Sequence, residues 1–71
     1  MSKTIVIYQN KTKGILIEKN MSKDAVNKRW VLTLYTPSAN PQFFGSYLST
    51  KYYTSQNDLK KDNKDLLKDL F

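Results

Sequence analysis

Between Ser46 and Thr54 the chain reads SYLSTKYYT, which gathers three of its five tyrosines and a lysine into one short stretch. Tyrosines interleaved with lysines suit one kind of chemistry well: bases stack on the rings while ammonium groups follow the phosphates of a nucleic acid. Arg29 and Tyr35 repeat the pairing upstream. The same composition also makes hot spots for protein partners, which favour exposed Tyr and Arg.

Catalysis has far less to work with. The sequence holds no cysteine and no histidine, which removes thiol nucleophiles, zinc sites of the usual kind and imidazole acid–base chemistry together. Upstream of residue 55 the carboxylates are Glu18 and Asp24, and Ser46, Ser49, Thr50 and Ser55 have no histidine to activate them. The two glycines, Gly14 and Gly45, fit no phosphate-binding loop. A protein without enzymatic activity, cofactor or metal is expected.

Charge sharpens the partner class. The 71 residues carry a net charge of +6, and its placement is uneven. From Gln56 onward four lysines balance four aspartates, so the whole excess lies before the C-terminal segment. Such asymmetry points to a polyanion or an acidic protein surface. Eleven lysines to one arginine favour phosphate contact over bidentate base reading, because an ammonium lacks the planar fork. The longest apolar run, Ile5 to Tyr8, is far shorter than the roughly 18 residues of a spanning helix, and Met1-Ser2-Lys3 opens no secretory signal. No membrane association and a cytoplasmic location are expected.

The elements that would position these groups follow from pattern. Lys3 to Gln9 alternates β-branched and aromatic residues as a strand does, Asn10 to Gly14 has turn chemistry, and Ile15 to Lys19 returns as a second strand. Residues 20–28 form either a loop or one helical turn capped by Ser22. Arg29 to Thr36 is a third strand with Trp30, Leu32 and Leu34 on one face and Arg29, Val31, Thr33 and Tyr35 on the other. Pro37 and Pro41 force a turn, and Gly45 marks a bulge or a close backbone approach before the last strand. Ser55-Gln-Asn-Asp58 is a capping box that starts a helix running to Phe71, with Leu59, Leu66 and Leu70 as its apolar stripe.

Strands followed by a helix predict an α+β fold: a small antiparallel sheet of three to four strands with one C-terminal helix packed on one face. The chain is expected to be a single domain, 1–71, with a basic sheet part over 1–54 and an amphipathic helix over 55–71. The expected core is Ile5, Ile7, Ile15, Ile17, Trp30, Leu32, Leu34, Leu48, Leu59, Leu66 and Leu70, with Tyr52 beside it. If Leu48 faces inward, parity turns Tyr47, Lys51 and Tyr53 outward beside Arg29 and Tyr35, with Lys11, Lys13 and Lys28 at the rim.

That face is expected to bind nucleic acid, single-stranded or duplex. In architecture alone, a short basic sheet closed by a C-terminal helix resembles single-strand binders of the transcriptional-coactivator type and the three-stranded arm-binding domains of some phage integrases. In size and lysine-rich composition the chain resembles small accessory proteins of phages and mobile elements. That likeness implies an alternative: a regulator or inhibitor that grips a host protein, such as a defence nuclease, through the same tyrosines, in the host cytoplasm. A homodimer joined through the open sheet or a sheet edge is the third arrangement.

Overall fold

The computed structural model describes residues 4–24 and 27–68. Four strands, β1 (Thr4–Asn10), β2 (Ile15–Asn20), β3 (Trp30–Tyr35) and β4 (Tyr47–Tyr53), precede two short helices, α1 (Gln56–Asp62) and α2 (Lys64–Leu67). The strands form one antiparallel sheet in the order β1-β2-β3-β4. The α+β expectation therefore holds, with the C-terminal helix in two pieces. No helix among the described residues is long and apolar enough to cross a membrane.

Each connection has a local cause. The Asn10 side chain accepts hydrogen bonds from Thr12 Oγ1 (2.8 Å) and the Lys13 amide (3.0 Å), which folds the β1–β2 turn back on itself. Gly14 closes that turn with φ +74, a region other residues enter at a cost. It also leaves room for β3: a Cβ there would collide with the Tyr35 carbonyl oxygen, whereas Gly14 O accepts from the Tyr35 amide at 2.8 Å. Gly45 serves the neighbouring residue in the same way, since a Cβ there would strike Thr36. The close backbone approach expected at Gly45 is what the fold uses.

At the opposite end, the Asn20 amide donates to Arg29 O (2.6 Å), and Arg29 Nη1 donates to Asn20 O (3.0 Å). Within the loop these bonds enclose, Lys23 and Asp24 form a turn. The rest of the expected Ser22-capped turn, Ala25 and Val26, lies outside the described residues.

The core sits between the centre of the sheet and the helices. Ile15, Ile17, Leu32, Leu59 and Leu67 are buried, with Tyr8, Trp30, Leu34 and Tyr53 packed around them. Burying each such aliphatic side chain contributes about 1.5–3 kcal/mol. Five expected core positions depart from this arrangement. Ile5 and Ile7 are exposed because β1 is an edge strand and α1 lies against β3 and β4. A register shift between Val6 and Tyr8 brings Tyr8, opposite Ile17, to the core in their place.

Leu48 is 58% exposed because a second bulge intervenes: Leu34 pairs with Ser49 but Tyr35 pairs with Tyr47, so Leu48 is the unpaired extra residue. Tyr52 is exposed by the same parity. Leu66 is exposed and Leu67 buried because the helix breaks at Asn63, whose φ of −124 and ψ of 37 turn α2 relative to α1. Leu70 lies outside the described residues.

Candidate nucleic-acid interface

The pairing register fixes which side chains share a face. Trp30 lies opposite Tyr53, Leu32 opposite Lys51 and Leu34 opposite Ser49, so these residues of β4 point to the helix side. Tyr53 and Lys51 therefore do not stand on the open face, contrary to the sequence expectation. A shift of one residue turns a whole strand over, and the bulge at Leu48 supplies that shift.

The helix explains why the strand settles this way. Tyr53 Oη donates to Asp62 Oδ2 (2.5 Å) and accepts from Asn63 Nδ2 (3.0 Å), while the same Asn63 group donates to Leu59 O (2.9 Å). Tyr53 thus ties β4 to the break between the two helices. Burial and the bond to Asp62 push its hydroxyl above the ordinary 10.0, and the bond from Asn63 opposes the shift. Lys51 Nζ stands 3.9 Å from Asp62 Oδ2 in an exposed pair, an arrangement that adds at most about 1 kcal/mol.

The opposite face carries Leu16, Glu18, Val31, Thr33, Thr50 and Tyr52 by register, with Tyr35 and Tyr47 where the bulge ends. Thr33, between Leu16 and Thr50, is buried at the floor of that face. Aromatic rings stand at both ends of that floor. At one end Tyr35 lies against Phe44, with ring centroids 4.5 Å apart, and meets Tyr47 edge-on at 6.2 Å. Tyr47 remains 61% exposed. Lys11 Nζ sits 5.7 Å from the Phe44 centroid and donates to Gln42 O (3.2 Å). At the other end Tyr52 is 53% exposed, with Lys28 Nζ 5.4 Å from its centroid.

The proline segment and the first turn hold the larger cluster in place. Thr36 N donates to Ser46 O (2.8 Å), Ser46 N donates to Thr36 Oγ1 (2.8 Å), and Ser38 N donates to Thr12 O (3.1 Å). With Gly14 against Tyr35 and Gly45 against Thr36, four chain segments converge on one corner. Tyr35, Tyr47 and, through Phe44, Lys11 gather at this corner, and Lys28 lies over Tyr52 at the other end. Lys13 is exposed at the tip of the first turn, and Arg29 uses a guanidinium donor to close its own loop.

Phe44 and Tyr52 were not among the expected site residues. A cue for Tyr52 lies in the sequence: only Thr54 separates Tyr53 from the Ser55 cap, so the strand's last residue must face the helix and its neighbour the other way. Phe44 gives no cue of its own, because its ring is placed by the bonds between Thr36 and Ser46.

Among the described residues no group of three acidic, histidine or cysteine side chains is arranged to hold a metal ion. Comparisons with protein-family models, with curated proteins and with solved structures found no match for this chain.

Proposed function

We propose that the chain is a non-enzymatic nucleic-acid-binding module that uses the open face of its sheet. The observation that carries this reading is an exposed tyrosine at each end of one face with a lysine close by: Tyr47 beside the Tyr35–Phe44 pair, where Lys11 lies over the half-buried Phe44 ring, and Tyr52 with Lys28 over its own ring. The rings offer π-faces to bases, and the ammonium groups supply the charge that phosphates require. The +6 net charge steers a polyanion toward the molecule from a distance. Glu18 lies on the same face and repels phosphate locally, so the strand's backbone runs along the β3–β4 side, where the tyrosines are.

A second reading has its own observation. Phe43 and Leu48, next in the chain to Phe44 and Tyr47, are exposed, an apolar supplement that suits a protein partner better than a phosphate backbone. In that reading the module is a small regulator that covers an acidic protein surface.

Titration of labelled oligonucleotides over a salt series separates the two. Nucleic-acid binding predicts an affinity that falls linearly with the logarithm of salt, losing about 0.7 of slope for each lysine–phosphate contact removed by Lys11→Ala or Lys28→Ala. Absence of binding near physiological salt, or binding with no salt slope, overturns it and favours the protein partner.

A further inference from the structure

Tyr47 and Tyr52 stand near the two ends of β4, five residues apart, which at the rise of a strand is about 15 Å. Between them the register puts Thr33, Thr50, Leu16 and Val31 on this face, with no described aromatic ring among them. The interface therefore consists of two separate stacking stations. Lys28 lies over the Tyr52 ring itself, and at the other station Lys11 lies over Phe44, which packs on Tyr35 beside Tyr47.

From this spacing, and resting on the nucleic-acid reading above, we infer that the ligand is a single strand that engages both stations at once. A duplex hides its base faces in the stack, so exposed rings on a flat sheet can reach bases only where these are unpaired. The lysines fit the same picture. A base stacked on an aromatic ring outweighs an exposed cation–π contact, so a base arriving on Tyr52 displaces the Lys28 ammonium. Lys28 is then released beside the passing phosphates, and Lys11 stands near the other station without covering Tyr47. At the Tyr52 station the free protein thus keeps the ring face covered with the group that the ligand needs next.

Two linked stations make affinity depend on length in steps. A strand too short to bridge them binds either station alone; one that spans about 15 Å, about five nucleotides at the stacked rise of 3.4 Å, gains the second contact at high effective concentration.

The test measures the affinity of the full chain for oligothymidines from about two to about twelve nucleotides, and for a blunt duplex, a range that brackets known single-strand site sizes. Expected is a steep rise near the bridging length, then a plateau, with the duplex at least tenfold weaker. Tyr47→Ala and Tyr52→Ala, both at exposed positions, should each weaken the long strand by roughly 5- to 150-fold. The shortest strand should change by only about twofold, since one station remains. Circular dichroism of the variants confirms that they fold. A smooth rise with length, equal binding of duplex, or dependence on one tyrosine alone overturns the two-station inference while leaving a nucleic-acid interface standing. Failure of every oligonucleotide to bind overturns both.

Discussion

Tyr53 shows how one hydroxyl decides the use of a whole strand. It is chemically the same as Tyr47 and Tyr52, yet its bonds to Asp62 and Asn63 assign it to the fold rather than to the surface. Those bonds have a consequence in alkali. Because Tyr53 holds its proton more tightly when folded than the ordinary 10.0, its contribution to stability is complete below that pH and is lost as pH rises through the folded value. Tyr53→Phe should destabilise the protein by about 1 kcal/mol at neutral pH, the usual net worth of a hydrogen bond. The stability gap between wild type and variant, followed by thermal melting, should narrow as pH climbs above 10.0. A gap that stays constant would show that the hydroxyl makes no linked contact.

At the scale of elements, the strands were legible in the sequence and their faces only partly so. Alternation placed Trp30, Leu32, Ile15 and Ile17 correctly, because β2 and β3 are central and pair without interruption. It failed for β1 and β4, where each strand carries a bulge and parity is reset partway along. The helix start was readable from Ser55, whose hydroxyl accepts from the Asp58 amide at 3.2 Å. Its break was not. Asn63 interrupts the helix because its side chain serves Tyr53 and Leu59 at once, a tertiary demand that no local propensity announces. The break makes an asymmetric prediction about two adjacent leucines. Leu67→Ala, at a buried position, should cost about 2–5 kcal/mol in chemical denaturation, whereas Leu66→Ala, on the exposed side, should stay within about 0.5 kcal/mol. The reverse order would mean that one continuous helix, with Leu66 inward, is the structure in solution.

At the scale of the molecule, the two sides of the sheet do different work. The helix side uses Lys51 and Tyr53 to fasten α1, and the open side presents Tyr35, Phe44, Tyr47 and Tyr52 with Lys11 and Lys28. The charge excess and the tyrosine density were evident in the sequence; the division of the tyrosines between the two sides was not, because it depends on a single extra residue in β4. The proposed binding belongs to the open side. Amide and aromatic chemical shifts recorded while a single-stranded oligonucleotide is titrated into the labelled protein test it most directly. Signals of Tyr35, Phe44, Tyr47, Tyr52, Lys11 and Lys28 should move together with one affinity while Lys51, Tyr53 and Asp62 stay in place. Shifts centred on Lys51, Tyr53 and the helices, with the open face silent, would contradict it.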